Sequence, residues 1–457
     1  MVAELPETSV AEALAKKVVT LNPDALPVPT ERKCKDLLVD VIGLCITARN
    51  EDYIRSALAG CDDDGPCTTI GHVRTLTAAG AAFINGTAAH GEDFDDTFEG
   101  GPVHAGAVVV PAVLAACERH NPDGRMALIG IAVGTEVVCR LSLVVPKAVH
   151  KAGFHPTAVF GVIGAAAGVG AALGLNARQI VDAFGIAGSM AGGIIEYLAE
   201  GAWTKRLHAG WAAQSGIRAA LLARSGFVGP RTVFEGTHGL FHGFARTGQG
   251  NYDALVGDFG TRWVMDTLAF KPYPCGTMAQ PYIDCARRLA SRGITSEDVA
   301  EIVCEVAEGT VHRLWEPLAD KQRPPNSYAA KFAVPYLLAA GFVNGGVGLG
   351  TFTDKAIRDP RVLALAAKVK FLIDPDNPYP NNYTGHVRAT LKDGRVLEER
   401  QPYLRGGAQE PLSWQDIMDK FALNVRHGGW SEARGEAALE LLAGLYREKL
   451  DISSLRG

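Results

Sequence analysis

The chain has 457 residues, of which 47% are hydrophobic and 21% are charged, and its 45 Lys and Arg against 50 Asp and Glu give a net charge of −5. This composition excludes a disordered chain, and mild acidity without a basic tract argues against nucleic-acid binding. The length predicts more than one domain. Positive charge that binds an anionic ligand must therefore be local to a pocket.

The cysteines and the N-terminal sequence indicate the compartment. Nine Cys occur without any C-x-x-C spacing, which argues against a disulfide scaffold and against a thiolate zinc cluster. Residues 1–17 carry acids early and have no apolar core segment, so we predict no signal peptide. We expect a reduced, cytoplasmic protein.

The first half of the chain predicts a series of helices. Segment 8–20 has apolar residues at helical spacing, with Thr8 or Ser9 as the N-cap and Glu12 in the first turn. Further helices are predicted where apolar or small residues recur at helical spacing, at 31–48, 75–90, 103–120, 125–143, 158–174, 178–198 and 208–225.

The 52 glycines need a physical reason, because Gly costs about 1 kcal/mol relative to Ala inside a helix. Close approach of helices is the simplest reason. Segment 156–177 is uncharged, so a membrane span is the alternative, but its Ala and Gly lack the strong apolarity that a span needs. We therefore predict a buried core helix and no membrane association.

The pattern changes after about residue 268. Alternating or short apolar runs predict strands at 299–306, 369–374 and 386–391. The last of these forms a hairpin across the turn at 392–395. Helix is predicted again at 328–342 and 413–450.

We therefore predict a mostly α-helical protein with a smaller α+β domain. Residues 1–268 form the large helical domain, and residues 269–405 form an inserted α+β lid domain. Residues 406–457 form C-terminal helices that return to the helical domain.

An acidic run that begins at His90 is the first candidate site. It places four carboxylates and a His within positions 90–96, and His104 follows. The run is interpretable as a solvated turn, as an acid–base site, or as an aspartate-rich Mg²⁺ motif like that of helical terpenoid synthases, formed by Asp95, Asp96 and Glu99. The Mg²⁺ interpretation needs a second acidic motif on a facing helix, and 208–245 does not contain one.

Two further segments place cationic or titratable groups at helix starts. His155, in GFHPT, stands directly before the Gly- and Ala-rich helix, where the helix dipole disfavours its protonation. Lys205 and His208, in TKRLH, open another helix and form a candidate carboxylate clamp. Taken alone, each segment is more typical of an incidental turn than of a site.

The last two segments lie in or next to the second domain. Lys271 stands in FKPYPCG at the domain junction, where sites often form. Cys275 of this segment is a weak candidate nucleophile, because no His or Asp companion is indicated near it. Tyr336 lies near a helix start in KFAVPY and is more typical of core packing than of catalysis.

Taken together and in this order, these segments resemble those of the MmgE/PrpD family, which includes 2-methylcitrate dehydratase, cis-aconitate decarboxylase and iminodisuccinate epimerase. The resemblance rests on the DFDDT-containing run at 90–97, GFHPT at 153–157, TK-x-LH-x-G at 204–210 and KPYPC at 271–275. It implies a helical domain with an α+β lid, a homodimer with the site between domains, and cofactor-independent chemistry on small polycarboxylates.

The resemblance also implies roles for individual residues. The pocket that it carries over consists of Asp93, Thr97, His104, His155, Lys205, Lys271 and Tyr336. In this assignment Lys205 and Lys271 bind and polarise substrate carboxylates, and His155 or His104 is the acid or base. Asp93 would orient an imidazole, and Thr97, His208 and Tyr336 would position the substrate, with Tyr336 as a further candidate proton carrier. The chain departs from the pattern at Gln280, where relatives often have a His.

The implied reaction moves a proton at a carbon next to a carboxylate. We expect a lyase without metal or cofactor, a dehydratase or decarboxylase whose partner is a small carboxylate substrate such as 2-methylcitrate or cis-aconitate. The alternatives are an epimerase of an iminodicarboxylate with two opposed proton carriers, the Mg²⁺-dependent synthase, and a non-catalytic helical scaffold.

Overall fold

The computed structural model describes residues 7–447 and 449–457. The absence of a signal peptide was predicted partly from residues 1–6, which lie outside the described residues. The chain forms two compact units. Unit 1 contains the residues up to Gly91, Asp95–Leu268 and Ser413–Gly457, and unit 2 contains Glu92–Phe94 and Ala269–Leu412.

Unit 1 is helical. Its elements before unit 2 are α1 (Val10–Val18), α2 (Val28–Ala48), α3 (Asp52–Ala59), β1 (Asp64–Cys67), α4 (Ala78–Gly91), β2 (Thr97–Phe98), α5 (Gly106–His120), α6 (Gly124–Val144), α7 (Ala148–Lys151), α8 (Pro156–Ala172), α9 (Ala177–Met190), α10 (Tyr197–Glu200), α11 (Thr204–Arg224), α12 (Leu240–Ala245) and α13 (Asp253–Val256). The predicted start of α1 is confirmed, because Ser9 and Glu12 form a capping box.

Close helix packing explains the glycines of this unit. A Cβ atom on Gly164 of α8 would lie 2.1 Å from Val138 Cγ2 and 2.7 Å from the carbonyl oxygen of Gly134, both in α6. Both distances are shorter than any van der Waals contact allows, so α6 and α8 can approach this closely only with Gly at that position. The helices of this pair are almost fully buried.

One helix of the described residues is long and apolar enough to cross a membrane, namely α6, but 94% of its apolar window is buried inside the protein. The segment for which a membrane span was the alternative forms α8, which has 17 residues and is buried along nearly its whole length. Both helices thus belong to the core of unit 1, as predicted for α8.

Unit 2 combines short helices with a sheet. Besides Glu92–Phe94, unit 2 begins at Ala269, the second residue of β3 (Leu268–Ala269). The chain then forms α14 (Gln280–Ala290), β4 (Val299–Val306), α15 (Glu308–Leu314), α16 (Leu318–Gln322), α17 (Ser327–Ala330), α18 (Val334–Asn344), α19 (Pro360–Ala366), β5 (Val369–Ile373), β6 (Gly385–Leu391) and β7 (Val396–Gln401). The chain then returns to unit 1 with α20 (Trp414–His427) and α21 (Glu432–Gly444).

The sheet of unit 2 has the strand order β5-β4-β6-β7. Strand β4 pairs in parallel with β5 and antiparallel with β6, and β6 pairs antiparallel with β7. Trp315, Val387 and Cys304 are fully buried in the core of this unit. The fold class predicted from sequence, mostly α with a smaller α+β part, is confirmed.

Candidate active site

A crossing of two helices in unit 1 brings a group of imidazoles together. His90 lies in the last turn of α4, and Lys205 and His208 lie near the start of α11. A Cβ atom on Gly210 of α11 would lie 2.0 Å from the carbonyl oxygen of Phe83 in α4. The glycine therefore allows the two helices to touch backbone to backbone close to these side chains.

His155 occupies the N-cap position of α8, as its place before the small-residue helix predicted. Its backbone N–H donates to the carbonyl oxygen of Gly193 at 2.8 Å. Its Nδ1 lies 3.1 Å from Nδ1 of His208, and its ring stacks on that of His90 with centroids 5.6 Å apart and an angle of 23° between the ring planes. Three imidazoles from three different helices thus meet.

The acidic run supplies a carboxylate and a backbone carbonyl oxygen that orient two of the rings. Asp95 Oδ2 lies 2.6 Å from Nδ1 of His90 and 3.6 Å from Nδ1 of His104. His104 Nδ1 is also 2.6 Å from the carbonyl oxygen of Asp96. The Asp96 carboxylate accepts from the backbone N–H of Gly106 at 3.0 and 3.1 Å, where α5 begins. The run is thus buried rather than a solvated turn.

The electrostatics of this group favour the neutral form of two of its imidazoles, those of His155 and His208. Burial lowers the pKa of His155 well below its usual range, and the neighbouring charges of His90, His208, Lys205 and His104 lower it further. The pKa of His208 is lowered to about 4, mainly by burial and to a smaller extent by the charges of His90 and Lys205. The two rings that face each other are therefore uncharged near pH 7, which suits them to accept a proton.

Among the described residues, three members of the same group could hold a metal ion. His90, Asp95 and His104 are buried and offer ligand atoms that all lie within 4.8 Å of one another. Two His and one carboxylate suit a transition metal more than Mg²⁺. The Mg²⁺ interpretation of Asp95, Asp96 and Glu99 gains no support, because the Asp95 carboxylate meets imidazoles whereas that of Asp96 accepts from the start of α5.

A second group lies within unit 2. Lys271 is buried, and its Nζ donates to Oδ1 of Asp93 at 2.8 Å and to the carbonyl oxygen of Asp93 at 3.0 Å. Cys275, four residues later, is fully buried, and burial raises the pKa of its thiol to about 12. A protonated thiol is a poor nucleophile, so Cys275 is not supported as one.

Tyr336 and Thr97 are both buried. The Tyr336 hydroxyl donates to the carbonyl oxygen of Thr351 at 2.8 Å within unit 2, and burial raises the pKa of this hydroxyl. Thr97 lies in β2 of unit 1.

Gln280 stands where the chain departs from the family pattern. Its side-chain amide donates to the carbonyl oxygens of Tyr273 and Cys275 at 3.2 and 3.3 Å and so stabilises the segment that contains Lys271.

Sequence reasoning did not select every residue of these groups. The sequence pattern indicates His90 only as the start of the acidic run and Asp95 only as a candidate Mg²⁺ ligand, although a His at a helix end directly before an acidic run is a usable signal. The carboxylate that meets the imidazoles of His90 and His104 is Asp95, whereas Asp93, predicted to orient an imidazole, accepts from Lys271.

Comparison with known proteins agrees with the sequence resemblance. The MmgE/PrpD N-terminal domain matches residues 12–252, and the MmgE/PrpD C-terminal domain matches residues 273–443. Together they cover most of the chain.

Three curated relatives illustrate the similarity. The cis-aconitate decarboxylase of Mus musculus is 31% identical over 356 residues, which are 76% of this chain and 71% of the mouse protein. The cis-aconitate decarboxylase-like protein oryM of Aspergillus oryzae is 27% identical over 91% of this chain and 90% of its own. The 2-methylcitrate dehydratase of Cupriavidus necator is 26% identical over 42% of this chain and 40% of its own. The chain belongs to the MmgE/PrpD family and is a lyase of that family's type.

Proposed function

We propose that this protein decarboxylates or dehydrates a small polycarboxylate, with cis-aconitate as the first substrate to test. The observation that carries the proposal is the buried group of four imidazoles, His90, His104, His155 and His208, with the Lys205 ammonium beside it. Relatives named cis-aconitate decarboxylase and 2-methylcitrate dehydratase support this substrate class.

In unit 1, Lys205 is the residue that we assign to bind a substrate carboxylate. It is buried in the first turn of α11, where the helix dipole also favours negative charge. Its charge already acts on His155 and His208, because it lowers the pKa of both rings. A fixed cation at this place would stabilise the carbanion or enolate of the reaction, and one well-placed group of this kind contributes about 3–4 kcal/mol.

The imidazoles supply the proton transfer. Binding of a polyanion opposes the effect of Lys205 and raises the pKa values of His155 and His208, so the group takes up a proton as the substrate binds. In decarboxylation the bond between the carboxyl carbon and the neighbouring carbon breaks. CO₂ leaves, and the electron pair of the broken bond stays on the neighbouring carbon. An imidazolium then delivers one proton to that carbanion, and the ring returns to its neutral form.

Dehydration is the second candidate, and it is favoured by the burial of His155, which lowers the pKa of this ring. A neutral imidazole can remove the proton from a carbon next to a carboxylate. Loss of the adjacent hydroxyl with one proton then forms the double bond and water. Both reactions pass through a carbanion-like species. In decarboxylation it forms by loss of CO₂ and is then protonated, and in dehydration it forms by loss of a proton and then expels the adjacent hydroxyl as water.

The residues of unit 2 keep the roles that the resemblance implied as part of this proposal. Lys271 is assigned to a substrate carboxylate, with Asp93 fixing its ammonium, and Tyr336 to substrate positioning. Thr97, which lies in unit 1, is likewise assigned to substrate positioning. The proposal includes a homodimer, which the exposed apolar side chains of Trp203 and Trp211 on and next to α11 support. It includes no cofactor.

The test is a substrate screen with the purified full chain. Wild type is incubated with cis-aconitate, 2-methylcitrate and citrate, and CO₂ release and alkene absorbance are recorded. We expect turnover of at least one compound and a loss of about 10²–10³-fold in Lys205→Met. His238→Gln, at an exposed histidine of the same unit, should retain activity.

Two results of this screen, and one result of a separate incubation of an iminodicarboxylate in D₂O, would contradict the proposal. Wild-type inactivity on all three compounds is one, and full activity of a folded Lys205→Met variant is another. Deuterium uptake from D₂O into an iminodicarboxylate without net conversion would favour the epimerase instead.

A further inference from the structure

The short segment that carries Asp93 has an unusual position in the chain. Glu92–Phe94 belongs to unit 2, whereas the residues on both sides of it belong to unit 1. Asp93 itself has a φ of 56°, in the left-handed region that residues with a Cβ atom adopt rarely. A conformation of this kind persists where surrounding contacts over-determine it.

Lys331 provides such contacts. Its side chain is 2% exposed, and its Nζ donates to the carbonyl oxygen of Glu92 at 2.8 Å and lies 3.0 Å from the Glu92 carboxylate. The ammonium also lies 4.4 Å from the centre of the Phe352 ring. Lys331 therefore binds both the backbone and the side chain of the residue that precedes Asp93.

Lys331 also binds the segment that carries Lys271. Its Nζ donates to the carbonyl oxygen of Pro274 at 3.2 Å, and its own carbonyl oxygen accepts from the backbone N–H of Gly276 at 2.9 Å. One residue thus ties together the two stretches of chain whose side chains form the Asp93–Lys271 pair. Without it, the two stretches would lose the hydrogen bonds that set their spacing.

We propose that Lys331 is a positioning residue that sets the place of the Lys271 ammonium by holding Glu92 and Pro274 together. The inference rests on the proposed function, in which Lys271 binds a substrate carboxylate. Lys331 touches neither substrate nor reacting atoms in this account, and it acts only through the Asp93–Lys271 pair. Misplacement of a binding group by about 1 Å can cost about 100-fold in rate.

The test is a double-mutant cycle measured in the full-length protein. Lys331→Met should lower kcat/KM about 100-fold in the wild-type background. In an Asp93→Asn background the same change should lower it less than about threefold, because a residue that acts through Asp93 has little left to affect. Equal effects in both backgrounds would overturn the inference, and so would full activity of Lys331→Met.

Lys368→Met is the matched control. Lys368 also donates to two backbone carbonyl oxygens within unit 2, those of Ser296 and Val299, and it touches neither stretch that Lys331 holds. Its activity should stay within about twofold of wild type. If Lys331→Met does not fold, Lys331→Arg replaces it in the cycle, because a guanidinium keeps the charge but not the single ammonium between two carbonyls.

Hydrogen exchange separates this inference from the proposed function. Lys331→Met should speed amide exchange in the peptide that covers residues 88–98, with little change in the sheet of unit 2. An unchanged rate in that peptide, or an equal rise throughout the protein, would overturn the inference. If the wild type turns over no polycarboxylate, the proposed function fails and exchange alone decides the role of Lys331.

Discussion

Lowering the pH from 7 to 5 should destabilise the folded protein through His208. The folded protein holds the pKa of this ring at about 4 through burial and the charges of His90 and Lys205, against an ordinary value of 6.5. Between these two pKa values the unfolded chain binds more protons at this ring than the folded chain does. The contribution of His208 to the free energy of unfolding is therefore fully present above about pH 6.5, and it is lost as the pH falls toward 4. Linkage gives a loss of about 2 kcal/mol between pH 7 and pH 5 from this one group.

The assay is urea unfolding followed by circular dichroism at pH 7, 6 and 5. His208→Gln cannot take up the proton, so its free energy of unfolding should fall less steeply with pH than that of wild type, by about 2 kcal/mol over this range. His238→Gln controls for the loss of a histidine at an exposed position.

Equal pH dependence of wild type and His208→Gln would refute this reasoning. A direct check is the titration of ¹³C-labelled histidine rings by NMR. A resonance that disappears in His208→Gln and titrates near pH 6.5 in wild type would contradict the depressed pKa on which the acid–base argument depends.

Three further outcomes are expected. Binding of cis-aconitate at pH 7 should be coupled to proton uptake, so its calorimetric heat should differ between buffers of different ionisation enthalpy, and equal heats would show that the imidazoles do not respond to the substrate. Tyr336→Phe should cost about 1 kcal/mol of stability, because its hydroxyl donates to Thr351. Its kcat should fall less than about tenfold, and a larger fall in the folded variant would indicate that Tyr336 carries a proton. Dialysis against EDTA should leave turnover unchanged, whereas loss of activity restored by Mg²⁺ would revive the metal-dependent alternative.

Local signals in the sequence predicted much of the fold. The Ser9–Glu12 capping box, the strand Val299–Val306 and the hairpin of β6 and β7 each depend on residues close in sequence. The excess of Gly likewise predicted close helix packing, which Gly164 and Gly210 confirm. Periodicity and capping report such features because neighbouring residues determine them.

The partners within the site were harder to predict, because they depend on contacts between distant parts of the chain. Asp93 and Lys271 are 178 residues apart, and Lys331 and Glu92 are 239 apart. Within the acidic run, Asp95 rather than Asp93 was found next to the imidazole of His90. The left-handed backbone at Asp93 interrupts any regular alternation along the run, so spacing alone could not indicate which carboxylate meets a ring. The order of the motifs, in contrast, identified the family.

The central claim is that the imidazoles of unit 1 transfer a proton at a carbon next to a carboxylate. Its most direct test is the turnover of cis-aconitate in D₂O by wild type and by His155→Gln, with the product examined by mass spectrometry. We predict that the wild-type product carries one carbon-bound deuterium from solvent and that His155→Gln forms it about 10²–10⁴-fold more slowly while remaining folded. Deuterated product formed at the wild-type rate by His155→Gln and by His104→Gln would contradict the claim.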